Sequence, residues 1–280
     1  MLTYAGGEFM SPSRYPEAYG DIMRLTGVFV PLFLAAAVTP AAASTVEFVK
    51  NGDFTQLSNN VGELGSYTVA ADWTSNGYNF VFTSGNVAAP TDNTMKFWTS
   101  ANGASDNTWN GLTESGSGNF LAMDGDFYTG PVQQTITNLT VGQSYTLSFN
   151  YAFAQQYSYY GATWQDLTAS LGGFSITLPS AFTDCTGSGD GQSCTGGYAL
   201  ESQGFSGWST YSTTIVATAT TETLAFLAGG NRQVPPFALV SDVSLTGPAA
   251  PEPATWATML VGFAALGFAG FRSSRRKATA

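Results

Sequence analysis

Short runs in which apolar and polar residues alternate dominate the middle of the chain. In QQTITNLTVGQSYTLSFNYAF, large apolar side chains recur at every second position from Tyr145 to Tyr151, after a turn at 141–143. A period of two places successive side chains on opposite faces of a strand, which is typical of a half-buried antiparallel strand. The chain is therefore expected to form β-strands in this region.

The same alternation returns twice towards the C-terminus, in STTIVATATTETLAFLAGG and FALVSDVSLTG. There it predicts Leu224, Phe226, Val243 and Leu245 as inward-facing positions. Gly, Asn, Asp and Ser fill the breaks, and no long stretch has helical spacing before Ala254. The pattern predicts an all-β domain over 44–247, a β-sandwich of two antiparallel sheets in the jelly-roll class.

A continuous apolar stretch stands near the N-terminus. One basic residue, Arg24, precedes the apolar residues 28–38, and three alanines at 41–43 follow. This order is typical of a secretory signal peptide, which we place at 23–43 with cleavage by signal peptidase, so export is expected. Residues 1–22 are polar and patternless, and we interpret them as a disordered, wrongly assigned start.

A second apolar stretch lies at the C-terminus, where residues 254–271 carry no charge. Eighteen residues are within the range of a membrane-spanning helix, so a single transmembrane helix is expected there. A basic tail follows at 272–280 and contains Arg272, Arg275, Arg276 and Lys277. The positive-inside rule predicts a cytoplasmic tail, with the main domain outside the inner membrane. A simple membrane anchor is one interpretation of this segment.

The linker at 248–253 makes a closer interpretation available. Pro251, Glu252 and Pro253, the apolar stretch and the arginines resemble the PEP-CTERM sorting signal of exopolysaccharide-producing Gram-negative bacteria. The resemblance covers about the last thirty residues. It implies recognition by an exosortase, processing near the PEP motif while the chain is held in the inner membrane, and delivery to the cell surface or extracellular matrix.

The charge balance and the missing histidine exclude several functions. Between Ser44 and Gly247 lie 15 of the 19 acidic residues but three of the nine basic ones, so this region repels nucleic acid. The chain has no histidine. Ser-His-Asp and Cys-His catalysis and most zinc sites are therefore excluded, since each needs an imidazole.

Two cysteines stand nine positions apart in DCTGSGDGQSC, a loop rich in Gly and Ser. They form no CxxC pair, which argues against a metal or redox motif. In an exported chain, a disulfide between Cys185 and Cys194 is the favoured interpretation, and two free thiols are the alternative.

Several segments are similar to jelly-roll domains of the galactose-binding and carbohydrate-binding-module type, among them VEFVKNGDFTQ and ALVSDVSLTG at the two ends of the domain. This resemblance implies that the first and last strands lie close together and hold a structural calcium, with Asp53 and Asp242 as ligands. Thr55 stands where a glutamate is common, which removes one ligand. The alternative is that Asp53 forms an Asx turn while Asp242 is solvated or caps a backbone group.

Aromatic residues cluster in QQYSYYGATWQD, between two predicted strands. Tyr159, Tyr160 and Trp164 are candidates for stacking on the apolar faces of sugars, with Gln155 and Gln156 available to bond hydroxyls. The alternative is that these rings cap one end of the sandwich.

The stretch AMDGDFYTG places two carboxylates, Asp124 and Asp126, two positions apart. Glycoside hydrolysis needs carboxylates that flank the scissile bond, whereas an Asp-Gly-Asp loop more often forms a turn or a weak calcium site. The favoured function is therefore a non-enzymatic surface or matrix protein that binds polysaccharide. The alternative is a carbohydrate-active enzyme with paired carboxylates as acid and base.

Overall fold

The computed structural model describes residues 44–83, 90–99, 118–181, 185–186, 193–231, 234–248 and 253–277. These residues belong to a compact unit that runs from Ala42 to Ala280. The expected signal peptide at 23–43 and the segment 1–22 lie outside the described residues.

The described part of the chain forms short β-strands followed by one helix. In chain order the elements are β1 (Thr45–Glu47), β2 (Thr74–Ser75), β3 (Asn79–Thr83), β4 (Asn119–Asp124), β5 (Val132–Ile136), β6 (Ser144–Gln155), β7 (Thr163–Leu171), β8 (Phe174–Leu178), β9 (Cys185–Thr186), β10 (Ser193–Cys194), β11 (Tyr198–Leu200), β12 (Ser209–Val216), β13 (Glu222–Gly230), β14 (Pro236–Pro248) and α1 (Pro253–Lys277).

Two six-stranded sheets account for most of these strands. The first sheet has the order β12-β6-β14-β4-β3, with β1 paired to β14. The second has the order β11-β7-β13-β5-β2, with β8 paired to β7. Every ladder within the two sheets is antiparallel. The predicted β-sandwich is therefore confirmed, and its finer classification as a jelly roll stays a prediction.

The alternating strands bury their apolar sides between the two sheets. On β13, Leu224 and Phe226 are fully buried while the adjacent Leu227 is exposed. The ring of Phe226 lies 5.0 Å from that of Phe149 on β6, which joins the two sheets across the core. Val243 and Leu245 on β14 are buried as well, so all four predicted inward positions are confirmed.

A second apolar cluster covers the opposite face of the first sheet. It contains Phe80 and Phe82 of β3, together with Phe120 and Phe237 from β4 and β14. Phe97, from the segment 95–99, packs against this face and contacts Phe82 and Phe237. Because both faces of these strands are buried, their sequences FVF, FLAM and FALV are continuously apolar and do not alternate.

The C-terminal segment forms the helix α1 over Pro253–Lys277, which includes the predicted span at 254–271. Its side chains are described over 259–271. Among the described residues, no helix has both the length and the apolar character needed to cross a membrane. The described residues therefore do not support the predicted transmembrane helix.

Candidate functional site

A cavity opens where four adjacent strands of the first sheet begin or end. Asp124 closes β4 opposite Phe237 of β14, and Gln155 closes β6 opposite Pro236. Because neighbouring strands are antiparallel, the ends of β4 and β6 meet the starts of β3 and β14 at one edge. The cavity has a volume of about 350 Å³ and is lined by Tyr78, Asp124, Asp126, Phe127, Gln156, Tyr159 and Pro235.

Backbone hydrogen bonds hold this edge together. Asp124 donates its amide to the carbonyl of Tyr78 at 3.3 Å, and Gly125 donates to the carbonyl of Pro236 at 2.8 Å. Gln156 donates to the carbonyl of Pro235 at 3.3 Å. The lining residues are therefore placed by the ends of the sheet ladders and by the short connections that leave them.

Asp124 is the most buried titratable group of the cavity, at 2% exposure. Its Oδ1 accepts hydrogen bonds from the backbone amides of Asp126 at 2.8 Å and Phe127 at 2.9 Å, which close the Asp-Gly-Asp turn. Its Oδ2 is buried and has no hydrogen-bond partner in the structure. The carboxylate is thus fixed at one oxygen and unsatisfied at the other.

Burial raises the pKa of Asp124 from 3.8 to about 6. Loss of water disfavours the charged form, and the negative charge of Asp126 raises the pKa further, while the two turn hydrogen bonds lower it. The pKa of the neighbouring Tyr78 hydroxyl is raised by burial and then by the charges of Glu63, Asp124 and Asp92. The cavity therefore has a negative electrostatic character.

Aromatic rings form one wall of the cavity. The rings of Tyr78 and Phe127 lie edge to face with their centroids 5.5 Å apart. Phe127 is 64% exposed, although it follows directly on the turn that Asp124 closes. Exposed apolar surface next to convergent polar groups is typical of ligand sites, and the exposed ring of Phe127 beside the buried Asp124 has this character.

The loop that follows β6 contributes Gln156 and Tyr159 to the cavity lining. The indole of Trp98 donates to the carbonyl of Tyr159 at 3.0 Å and contacts the rings of Tyr157 and Tyr160. Trp98 is itself buried, so it anchors a loop in which Tyr159 and Tyr160 remain 44% and 64% exposed. Trp98 was not among the predicted site residues, although the apolar Met95 and Phe97 near it in MKFW were a signal of burial.

The structure brings together some of the predicted sugar-stacking residues. Tyr159 lines the cavity, and Tyr160 lies in the same loop against Trp98. Trp164 lies on β7 of the other sheet, opposite Ala199 of β11, and is absent from the cavity lining.

The two glutamines have different roles. Gln156 lines the cavity. Gln155 is fully buried, and its side-chain amide donates to the carbonyl of Gly161 and to the hydroxyl of Thr163, while its oxygen accepts from the amide of Gln203. Gln155 therefore organises the loop and has no free group for a sugar.

The predicted calcium ligands lie near each other, away from this cavity. The carboxylate of Asp53 accepts bonds from the amide and hydroxyl of Thr55, as in an Asx turn. Asp242 accepts from the side-chain amide of Asn150 at 2.9 Å. Its pKa is raised by burial and by the charge of Asp53, while the bond from Asn150 lowers it. No group of three or more His, Cys, Asp or Glu that could hold a metal occurs among the described residues, and calcium binding stays a prediction.

The cysteine segment forms a two-stranded hairpin of its own. Its backbone register places Cys194 of β10 opposite Cys185 of β9. Cys194 is disulfide-bonded, and the chain has two cysteines in all. The pairing of these two cysteines in solution stays a prediction.

Of the predicted sorting motif, Pro253 begins α1, whereas Pro251 and Glu252 lie outside the described residues. The predicted basic anchor residues Arg272, Arg275, Arg276 and Lys277 fall within the backbone of the same helix, at its C-terminal end.

A second cavity, of about 320 Å³, lies beside β2. Its lining includes Leu64, Val69, Ala70 and Trp73 but no ionisable side chain among the described residues. The first cavity is therefore the better candidate for a ligand that needs directional polar contacts.

Comparison with known proteins gives no family assignment: no family model matches the sequence, and no curated protein matches it. The solved structures that are similar include TmCBM61 in complex with β-1,4-galactotriose, at 14% identity over 71% of this chain and 97% of that one, with a TM-score of 0.35. The sugar-binding EclA C-terminal domain has 12% identity over 81% of this chain and 99% of that one, with a TM-score of 0.25. The K3 adhesin domain of Lys-gingipain from Porphyromonas gingivalis has 13% identity over 72% of this chain and 99% of that one, with a TM-score of 0.31. At these values the likeness assigns no function, and the site is interpreted from its own geometry.

Proposed function

We propose that this protein is a non-enzymatic saccharide-binding protein and that its ligand occupies the cavity lined by Asp124 and Tyr159. The observation that carries the proposal is that exposed aromatic rings, Phe127 and Tyr159, line the same cavity as the polar side chains of Asp124 and Gln156. The apolar faces of sugar rings stack on aromatic side chains, while their hydroxyls need hydrogen-bonding partners. Asp124 and Gln156 supply such partners.

The dimensions of the cavity fit a short saccharide unit. Its volume of about 350 Å³ is at the lower end of the roughly 300–1,000 Å³ typical of small-molecule sites. The exposed ring of Tyr160, beside the cavity, provides further apolar surface for sugar units outside it. A polysaccharide would therefore be bound through one or two enclosed units.

The proposal is tested by measuring binding of the full-length protein to a panel of neutral polysaccharides. Tyr159→Ala and Phe127→Ala are each expected to weaken binding by about tenfold, which corresponds to about 1.4 kcal/mol. Val141→Ala is the control, because the exposure of Val141 lies between those of Tyr159 and Phe127 but the residue does not line the cavity. The proposal is wrong if no saccharide binds, or if both aromatic variants bind as the control does.

We also propose that the protein is exported and carries a C-terminal sorting signal. The support is the charged, apolar and small-residue order at 23–43 and the Pro251-Glu252-Pro253 motif before an uncharged stretch and a basic tail. In this proposal a signal peptidase removes the leader, and an exosortase processes the tail and delivers the domain to the cell surface or matrix.

One observation favours the second candidate, a carbohydrate-active enzyme. Asp124 has a pKa of about 6 and stands beside a second carboxylate, Asp126, as an acid and a base would. Both residues, however, belong to one turn, whereas glycosidases place their carboxylates on either side of the scissile bond. Release of reducing ends by the wild type, abolished in Asp124→Asn, would establish the enzyme in place of the binding protein.

A further inference from the structure

Asp124 has one carboxylate oxygen that accepts hydrogen bonds within the fold and one that has no hydrogen-bond partner. The backbone amides of Asp126 and Phe127 both donate to Oδ1, so the carboxyl group cannot turn that oxygen away without breaking the turn. Oδ2 is therefore held in one position, buried and without a partner. Buried polar atoms in native proteins are nearly always hydrogen-bonded, so an exception in a residue that lines a cavity marks a candidate contact for a ligand or a water molecule.

The missing partner has to be a hydrogen-bond donor. An ionised carboxylate accepts hydrogen bonds and donates none. The described lining of the cavity holds two carboxylates, two tyrosines and one glutamine, and it holds no lysine or arginine. A neutral hydroxyl fits Oδ2, whereas a carboxylate in the same place would bring two negative charges together in a poorly hydrated site.

We infer that Asp124 is the specificity-determining residue of the cavity: its Oδ2 accepts a hydrogen bond from a hydroxyl of a neutral saccharide, and the site rejects saccharides that present a carboxylate there. This inference rests on the proposed function, since it specifies which saccharides the site takes. The contact is charge-assisted, and such hydrogen bonds are roughly twice as strong as neutral ones.

A dependence on pH follows from the contact. The hydroxyl binds the ionised form of Asp124, so ligand binding lowers the pKa of this group, and affinity must fall as pH drops through about 6. Asp126 is the charged group that acts on Asp124, and the other titratable side chains of the described lining are Tyr78 and Tyr159. Burial raises the pKa of Tyr78 further above this range, so a loss of affinity near pH 6 reports on the carboxyl group of Asp124.

The test uses matched pairs of oligosaccharides and the full-length protein. Hexamers of β-1,4-linked glucose, galactose and mannose are each compared with the counterpart oxidised to the uronate at C6. At least one neutral hexamer is expected to bind, and at least tenfold more tightly than its uronate. In Asp124→Asn, the amide oxygen can keep the turn while the amide nitrogen places a donor where Oδ2 was, so affinity is expected to fall at least tenfold and to lose its dependence on pH.

Controls separate failure of the inference from failure of the proposed function. Asp72→Asn removes an exposed carboxylate that does not line the cavity and is expected to leave binding unchanged. If Asp124→Asn stays folded and binds normally while Tyr159→Ala loses binding, the inference is wrong and the proposed function stands. If no neutral saccharide binds, or if Tyr159→Ala and Phe127→Ala both bind normally, the proposed function itself is wrong. Should Asp124→Asn fail to fold, a wild-type affinity that is constant from about pH 5 to pH 7 overturns the inference.

Discussion

At the scale of single residues, the turn that follows β4 contains one group that opposes stability and one position that close packing restricts to glycine. Asp124 is a carboxylate held away from water with one oxygen unsatisfied, and such a group has a cost in folding free energy. Gly125 beside it packs directly on the backbone of β13, where there is no room for a side chain. Both effects can be measured.

The first prediction concerns the pH dependence of stability. Because the pKa of Asp124 is raised to about 6 in the folded protein from 3.8, the folded state holds its proton more tightly than the unfolded state does. The contribution of Asp124 is therefore most favourable below about pH 3.8, and it is lost as pH rises through about 6, at a cost of up to about 3 kcal/mol. Asp124→Asn lacks this dependence. Urea unfolding from pH 4 to 7 should show the variant gaining stability relative to the wild type as pH rises, and a constant difference would contradict the assigned pKa.

The second prediction concerns Gly125. A Cβ atom at this position would lie 2.7 Å from the carbonyl carbon and oxygen of Gly229 and 3.0 Å from the amide nitrogen of Gly230. These are backbone atoms that cannot rotate away, so Gly125→Ala is expected to reduce the free energy of unfolding by about 1–3 kcal/mol. In Gly173→Ala, the added Cβ would meet a Thr218 methyl group at 3.8 Å, and this control should change stability by less than about 0.5 kcal/mol. Equal stabilities of the two variants in denaturant unfolding would contradict the close approach.

At the scale of elements, alternation identified the strands that have one buried face, and it could not identify the others. β6, β13 and the second half of β14 alternate, and their inward positions followed from the sequence. β3 and β4 read as continuous apolar runs because the segment 95–99 covers their outer face. The burial of this outer face depends on contacts between residues that are distant in sequence, and the local spacing of apolar residues does not predict such contacts.

The site was predicted only in part for the same reason. Tyr159 and Tyr160 stood out as a dense aromatic run, and their exposure agrees with a role at the surface. The proximity of Asp124 to that run depends on β4 and β6 both pairing with β14, since 34 positions separate Asp124 from Ser158 in the loop. Trp164, three positions after Gly161, does not line the cavity because the chain enters the other sheet at Thr163.

The core between the two sheets gives a prediction at this scale. Phe226 of β13 is fully buried and contacts Phe149 and Trp73, so its ring joins both sheets. Phe226→Ala is expected to lower the free energy of unfolding by about 3–5 kcal/mol. The adjacent Leu227 is on the exposed side of the same strand, and Leu227→Ala should cost less than about 1 kcal/mol. Thermal or urea unfolding of both variants measures the difference, and equal losses would mean that the two faces of β13 are assigned wrongly.

The hairpin of β9 and β10 gives a second prediction at the scale of elements. A disulfide that closes the loop from Cys185 to Cys194 restricts the unfolded chain, and its removal is expected to cost roughly 2–3 kcal/mol. The double variant Cys185→Ser, Cys194→Ser is compared with reduced wild-type protein, which should unfold at the same denaturant concentration. Thiol titration of unreduced, denatured wild type is expected to find no reactive thiol, and two reactive thiols would rule the pairing out.

At the scale of the whole molecule, the sequence contains a folded domain and two terminal segments. We assign export to the first segment and sorting to the second. The sandwich accounts for the proposed ligand site, and no residue of the described cavity comes from outside it. The proposed export and sorting of the protein depend instead on residues 23–43 and on the residues from Pro251 onwards. Ligand binding and localisation should therefore be separable by substitution.

The last prediction tests that separation at Pro251, Glu252 and Pro253. Each proline fixes its own backbone and disfavours helix in the residue before it, so the sequence predicts an extended, protease-accessible segment before the apolar stretch. Replacing all three residues by alanine removes this restriction and is expected to leave export and saccharide binding intact but to stop processing. Immunoblots of fractionated cells should then show the uncleaved, full-length tail retained with the cell, while Thr279→Ala, a substitution in the same tail outside the motif, should be processed normally. If the triple-alanine protein still reaches the cell surface at its normal mature mass, the motif does not direct sorting, because the local geometry on which recognition depends has been removed without effect.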